Sequence, residues 1–133
     1  MSVANNKTQS HKDLLVWQES MRLVKSVYEL CLLLPKDEIY GLSSQMKRAA
    51  VSVPSNIAEG YKRNNLPEYI HFCGIAAGSL SELETQVLLT KSLFDISVQD
   101  ILESIDYTQR MLTSMLNKLR AKNATRNAQL DTL

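Results

Sequence analysis

Residues 45–60 read QMKRAAVSVPSNIAEG, and this stretch decides the fold. Apolar side chains recur every three or four residues along it and just beyond it, which is the spacing of one face of an α-helix. Polar side chains recur at the same spacing beside them. The stretch therefore predicts a long helix with two stripes. The apolar stripe contains Leu42, Met46, Ala49, Val53, Ile57 and Tyr61, and the polar stripe contains Gln45, Arg48, Ser52, Asn56, Glu59 and Arg63.

Pro54 lies in the middle of this segment. A proline inside a helix removes the hydrogen bond to the carbonyl of Ala50 and crowds that carbonyl, which costs about 3 kcal/mol or more. The segment is therefore one helix with a bend at Pro54, or two shorter helices. Ser52 and Asn56 flank the proline, although short polar side chains are poor choices for an ordinary solvated helix face. The polar stripe therefore indicates a role beyond solubility.

The rest of the chain contains three further helical patterns. Asn65 is a good N-cap for one of them, and Ser97 is a candidate cap for another. Short connections between four helices predict an all-α fold, an antiparallel up-down-up-down four-helix bundle. We expect residues 1–11 to form a disordered N-terminal lead and residues 123–133 a flexible polar tail. The helices are predicted at about 12–34, from a start between 37 and 43 to about 63, at 65–93 and at 97–122.

The first helix has a wider apolar arc than a single neighbour requires. This arc predicts contacts with several helices, with another subunit as one source. In the third helix, Gly74 and Gly78 indicate close approach by another helix. The arc consists of one seam with Leu14, Trp17, Met21, Val24, Tyr28 and Cys31, and of a second seam with Leu23, Val27, Leu30 and Leu34.

The composition is that of an ordinary globular domain, with 133 residues of which 44% are hydrophobic. Fifteen basic and 14 acidic residues give a net charge of +1. A nearly neutral charge does not indicate nucleic-acid binding, which usually requires a strongly basic domain. No secretory signal is visible and the longest apolar run is far shorter than a membrane span, so we expect a cytoplasmic protein without a membrane partner. Cys31 and Cys73 lie on apolar stripes and are expected to be buried, reduced thiols.

The charge is nevertheless segregated along the chain. Residues 107–126 contain five cations and no acid, whereas residues 64–106 contain seven acids and one cation. A basic end of the bundle can bind phosphates without reading sequence. The alternative is a helix C-terminus whose cations complement the helix dipole.

Catalytic and metal-binding patterns are weak. Glu68 and His71 have the spacing used in di-iron bundles, but such sites need two of these pairs and two more carboxylates. No nucleophile arrangement and no glycine-rich phosphate loop is visible. We therefore predict no enzyme, no metal, no cofactor and no small-molecule substrate.

Two interpretations of the polar stripe remain. It is either a polar network at a subunit seam or a ligand-binding face, and we favour the seam because the stripe lacks a titratable pair of catalytic type. Glu82 and Glu84 are expected to form ion pairs with Arg48 or Arg63, and Arg48 has Glu59 as a further candidate. The predicted assembly residues are Gln45, Arg48, Ser52, Asn56, Glu59, Glu82 and Glu84, with Pro54 as the bend.

Several motifs carry a family resemblance over roughly residues 14–119. They are VWQE at 16–19, LxxQxxRA at 42–49, SxPSNIAEG at 52–60, Arg63, EY at 68–69 and GSLxELETQ at 78–86. The chain resembles the bacterial four-helix-bundle proteins known as 23S rRNA intervening-sequence proteins. Relatives of these proteins include the accessory variability determinant of diversity-generating retroelements.

The resemblance implies a ring-shaped homopentamer that binds structured RNA or a nucleic-acid enzyme. The retroelement relatives are strongly basic, whereas this chain is nearly neutral. We therefore expect a non-enzymatic scaffold associated with structured RNA or a ribonucleoprotein, with a protein-binding adaptor as the alternative. The candidate nucleic-acid-binding residues are Lys47, Arg48, Lys62, Arg63, Lys118, Arg120 and Lys122.

Overall fold

The computed structural model describes residues 9–132, and in this range it contains four long helices. Short 3₁₀ turns precede the first two helices, at His11–Asp13 and Lys36–Glu38. The predicted all-α four-helix bundle is confirmed. Residues 1–8 of the predicted N-terminal lead lie outside the described residues. The helices are α1 (Leu15–Cys31), α2 (Leu42–Lys62), α3 (Leu66–Phe94) and α4 (Gln99–Asp131).

Two predicted boundaries differ from the structure. The N-cap of α4 is Val98, which makes no side-chain cap bond, and not Ser97. Helix α4 also continues past Lys122 to Asp131, so most of the predicted polar tail is helical. The last glycine or proline of the chain is Gly78, so no helix-stopping residue interrupts the end of α4.

The cap of α3 is formed as the sequence predicts. The side-chain oxygen of Asn65 accepts a 2.9 Å hydrogen bond from the backbone N–H of Glu68, and Pro67 occupies the first turn. The other end of α3 closes with Asp95, whose backbone is left-handed at φ 52°. Asparagine and aspartate tolerate this conformation better than most residues.

Each helix packs against two neighbours. Helix α1 contacts α2 and α4, and α3 contacts the same two helices. The α1–α2 and α3–α4 connections lie at one end of the bundle, where the Cys31 thiol donates to the carbonyl of Ser43 and the Thr90 hydroxyl donates to the sulfur of Met46. We call this the connection end. The α2–α3 connection and the C-terminal half of α4 lie at the opposite end.

The two apolar seams of α1 have different environments. The second seam is buried in the core, whereas Met21 and Tyr28 of the first seam are close to half exposed. Three residues of the first seam, Trp17, Met21 and Val24, form one wall of a groove of about 380 Å³ between α1 and α2. Helix α2 continues without a break through Pro54, so the interpretation as two helices is wrong. We call this the α1–α2 groove; its apolar lining is Trp17, Met21, Val24, Val51, Pro54 and Ala58.

Close helix approach occurs at a glycine that the sequence analysis did not single out. A Cβ atom on Gly60 would lie 2.9 Å from Cβ of Phe72, so this glycine lets α2 contact α3. A Cβ atom on Gly74 or Gly78 would meet no atom within 4 Å. The expected close approach at Gly74 and Gly78 is therefore absent from the described chain, and this face of α3 is open.

Candidate nucleic-acid interface

A basic cleft lies where the α2–α3 connection meets the C-terminal part of α4. It has a volume of about 280 Å³. Its walls come from residues far apart in sequence, because α4 runs back past the end of α2. We call it the basic cleft; it is lined by Arg63, Asn64, Asn65, Leu66, Tyr69, Lys122 and Arg126.

The α2–α3 connection is short and firmly held. Arg63 is the C-cap residue of α2, and its backbone N–H bonds to the carbonyl of Gly60 at 3.2 Å. Asn65 then caps α3 two residues later. Because both helix ends are satisfied and Gly60 seats α2 against α3, the connection presents Arg63 in a fixed place.

The guanidinium of Arg63 has acidic and aromatic neighbours. It lies 2.7 Å from the carboxylate of Glu59 and 3.7 Å from that of Glu68, and it sits 5.1 Å from the centre of the Phe72 ring. Both ion pairs are largely solvent-exposed, and such pairs contribute only about 0–1 kcal/mol. Phosphate can therefore compete for Arg63. Lys122 and Arg126 form no ion pair with any described residue.

The cations of α4 fall on two faces. Lys118, Lys122 and Arg126 follow one another at four-residue steps, so they share a face and advance about 6 Å per step. Arg120 lies on a different face, because two residues turn a helix by about 200°. Arg126 was counted in the basic segment 107–126 but was not among the residues predicted to bind nucleic acid. The four-residue spacing was the signal for including it.

The other candidate cations lie elsewhere. Lys62 is exposed in the last turn of α2, beside Arg63. Lys47 and Arg48 are some 20 Å further along α2, in its first half. The ammonium of Lys47 sits 4.9 Å from the centre of the Tyr28 ring of α1. Of the predicted set, Arg63 and Lys122 line the basic cleft, whereas the other five residues lie outside its lining.

The middle of the polar stripe forms a hydrogen-bonded ladder between α2 and α3. The hydroxyls of Ser52 and Ser79 are 2.8 Å apart. The Asn56 amide donates to the Ser52 carbonyl at 2.8 Å and to its hydroxyl at 2.9 Å. These three side chains are half-buried, whereas Gln45, Arg48 and Glu59 are exposed. Only the centre of the stripe is therefore a network within the chain.

The predicted ion pairs of the stripe are absent. Within residues 9–132, Arg48 makes no ion pair, and neither Glu82 nor Glu84 makes one. Glu59 pairs with Arg63 because the two are four residues apart on one helix face, whereas Arg48 is roughly 16 Å from Glu59 along α2.

Glu82 belongs to the α3 side of the stripe. Its carboxylate accepts a 3.2 Å hydrogen bond from the Gln86 amide. The buried side-chain oxygen of Gln86 has no donor among the described residues. An unpaired buried acceptor costs about 1–3 kcal/mol. The hydrogen-bonded ladder therefore does not extend along α3 to satisfy Gln86, which lies nearer the connection end.

The hydroxyl of Tyr69 and the thiols of Cys73 and Cys31 stay protonated, because their pKa values are raised. Burial, reinforced by the neighbouring Cys73 and Tyr61, raises the pKa of Tyr69 to about 12. Burial also raises the pKa of the Cys73 thiol to about 12 and raises that of Cys31. Both cysteines are free and buried, as the sequence predicts. A buried, neutral thiol is a poor nucleophile.

Residues 9–132 contain no group of three or more His, Cys, Asp or Glu side chains placed to hold a metal ion. Glu68 lies near Arg63, and the His71 ring packs against the edge of Phe72 at 5.3 Å. None of the described helices has both the length and the apolar character that crossing a membrane requires.

Comparison with known proteins identifies relatives of the chain. No curated protein matches it. A crystal structure of a protein of unknown function from the S23 ribosomal protein family, from Bacteroides thetaiotaomicron, has the same fold. The two chains share 20% sequence identity with a TM-score of 0.71, over 77% of this chain and 98% of the other. The family model of the 23S rRNA-intervening sequence protein matches residues 12–118, and the chain therefore belongs to this family.

Proposed function

We propose that this protein is a non-enzymatic, homopentameric scaffold that binds structured RNA, alone or within a ribonucleoprotein, through the basic cleft. The observation that carries the proposal is the meeting of Arg63, at the end of α2, with Lys122 and Arg126 of α4, which are about 60 residues further along the chain. Two of them have no acidic partner among the described residues. The family name is consistent with an RNA-related role.

The geometry favours backbone contact over base reading. The cleft presents guanidinium and ammonium groups at a helix end, and such groups neutralise phosphates without distinguishing sequences. Tyr69 lies at its floor, half-buried, with its hydroxyl against the sulfur of Met115 at 3.8 Å. Specificity on such a surface comes from RNA shape, because phosphate positions differ between structured RNAs.

Self-assembly multiplies this interface. One cleft with three cations supports weak binding, whereas a closed ring presents the same cleft once per subunit and gains affinity through multivalency. Two open surfaces support such a ring. The α1–α2 groove is apolar, and the open face of α3 at Gly74 and Gly78 allows close approach by a neighbour. When two different patches of neighbouring subunits contact each other head to tail, the subunits form a closed ring if the rotation from one subunit to the next is a whole fraction of a full turn.

The location we propose is the cytoplasm. Both cysteines are free, which is the normal state of thiols in a reducing compartment. RNA-associated proteins act there as well.

A fluorescence anisotropy titration of a labelled RNA hairpin at low and moderate salt tests the RNA proposal. Binding should be strongest at low salt, because phosphate contacts release counterions. Lys122→Gln and Arg126→Gln should each weaken binding severalfold and reduce the salt slope by up to about one unit. Arg120→Gln, on another face of the same helix, and Lys36→Gln, at the connection end, are the controls.

The outcomes separate the candidate functions. Absence of binding at low salt removes the RNA proposal and favours the protein-binding adaptor, which the exposed apolar surfaces also support. Equal weakening by Arg120→Gln and Lys122→Gln places the binding surface outside the basic cleft.

A further inference from the structure

The connection end, opposite to the basic cleft, exposes large apolar side chains. Leu33 is 66% exposed and Tyr40 is 96% exposed. Single exposed apolar residues are ordinary, but several at one end of a small domain indicate an interaction surface. The group consists of Leu32, Leu33, Ile39, Tyr40 and Leu93.

A groove of about 410 Å³ opens at this end, between the C-terminus of α1 and the N-terminus of α4. Leu30, Leu33 and Ile101 supply its apolar surface. Glu29 and Asp100 line it from the two helices, and no lysine or arginine does. Leu30 is buried and fixed in the core, so the groove has a firm base.

The carboxylates of this groove have no partner within the described chain. Glu29 and Asp100 are exposed, and neither side chain forms a hydrogen bond or an ion pair among residues 9–132. The N-terminus of α4 contributes about half of a positive elementary charge. This offsets only part of the negative charge of the two carboxylates, so the groove stays negative. Asp37 and Asp95 in the two connections are balanced in charge by Lys36 and Lys91, so the excess negative charge comes from the groove itself.

We propose that this groove binds a basic amphipathic segment of a protein partner. An apolar side chain of the segment packs against Leu33 and Ile101, and its lysine or arginine side chains pair with Glu29 and Asp100. Charge complementarity selects this occupant, because an acidic peptide or a phosphate backbone is repelled by the same carboxylates. An apolar anchor with charged flanks is a common mode of helix-in-groove recognition.

This site is independent of the RNA proposal. Helix α3 spans 29 residues, so the two ends of the bundle are about 40 Å apart. This distance is several times the Debye length at physiological salt, about 8 Å. A scaffold built in this way joins a basic protein segment at one end to a phosphate-bearing ligand at the other.

Binding of a designed peptide to the full-length protein tests the proposal. The probe is a fluorescein-labelled helix of about four turns with leucines on one face and lysines on the other, and a version with glutamates for lysines is the comparison. Only the lysine peptide should raise the anisotropy. Leu33→Ser and Asp100→Lys should each weaken its binding by about tenfold.

Two matched variants serve as controls. Leu15→Ser alters a leucine of similar exposure, 67% against 66% for Leu33, at the N-terminus of α1, and Asp37→Lys reverses a charge at the connection end outside the groove lining. Both should bind the lysine peptide as the unmodified protein does. Equal effects of control and groove variants overturn the proposal, and so does equal binding of the two peptides.

Two further results overturn the proposal by assigning the groove to another occupant. Loss of RNA hairpin binding in Leu33→Ser assigns it to nucleic acid. End-to-end association of the protein that disappears in Asp100→Lys assigns it to a second copy. Peptide binding that persists when RNA binding is absent leaves this inference standing and removes only the RNA proposal.

Discussion

Single glycines in this protein have opposite roles that their local sequence does not reveal. Gly60 and Gly78 both lie inside helices and both replace a better helix former. Gly60 is in contact with α3, whereas Gly78 is open to its surroundings. The close approach expected at Gly78 is instead found at Gly60, because helix periodicity cannot tell which face another helix covers.

We predict opposite changes in stability when each glycine becomes alanine. Gly60→Ala should lower the free energy of unfolding by about 1–2 kcal/mol, because the new methyl group forces α2 away from Phe72 and Tyr69. In a single subunit, Gly78→Ala should raise it by up to about 1 kcal/mol, because the backbone loses less entropy on folding and the methyl group meets no atom of its own chain.

Urea unfolding followed by circular dichroism measures both changes, at one protein concentration and with the assembly state recorded by light scattering. Gly74→Ala, in equally open space, is the control for Gly78→Ala. An unchanged stability of Gly60→Ala contradicts the tight contact between α2 and α3.

At the scale of the element, α2 shows how far a sequence pattern reaches. The middle of its apolar stripe is buried, and its end was predicted to within a residue, whereas its start was left open between residues 37 and 43 and lies at Leu42. Its polar stripe was predicted as one network, but it is divided into a group of Ser52 and Asn56 with Ser79 of α3 and a separate Glu59–Arg63 ion pair. The ends of the stripe are exposed, and the Gln86 oxygen opposite them has no donor among the described residues.

We predict that Arg48→Ala or Asn56→Leu changes the assembly state before it changes helix content. Alanine and leucine favour helices, so neither variant should weaken α2 locally. Asn56→Leu removes two hydrogen bonds to Ser52, and Arg48→Ala removes an exposed cation without a described acidic partner. Sedimentation velocity should show an altered size distribution, while the far-ultraviolet circular dichroism stays constant.

Lys25→Ala removes an exposed cation from α1 and is the control for Arg48→Ala. If Arg48→Ala keeps its size but loses RNA binding, the polar stripe is a binding face. The seam interpretation is then wrong.

At the scale of the whole molecule, the bundle has open surfaces that one chain does not cover. The α1–α2 groove contains part of the first seam of α1. The sequence already showed that the apolar arc of this helix is wider than one neighbouring helix requires. The open face of α3 lies elsewhere on the bundle. These surfaces lead to a prediction about assembly.

We predict that Met21→Glu and Gly78→Leu each prevent formation of the ring. Met21 is 46% exposed in the α1–α2 groove, so a charge there is tolerated by the single chain but not by an apolar interface. A leucine at position 78 has space in one subunit and blocks a close neighbour. Size exclusion with light scattering should give a pentamer for the unmodified protein and smaller species for both variants.

Leu32→Glu changes an exposed leucine at the connection end and should leave the assembly intact. A monomeric unmodified protein rules out the ring.

The sequence by itself determined the helices and the fold class. The apolar spacing of α2, the Asn65 cap and the buried seam of α1 are local patterns, and helix formation depends on local hydrogen bonds and on one apolar face. The sequence also indicated which cations to consider, although the end of α4 was set too early and Arg126 was left out.

Tertiary structure alone decided which of these residues meet. Arg63 and Lys122 are distant in sequence, and they share a cleft only because α4 returns past the end of α2. The same packing leaves Gly78 open and brings Glu29 near Asp100 across two helices. Periodicity fixes the face of a helix on which a residue lies, but the partner of that face depends on how the helices pack.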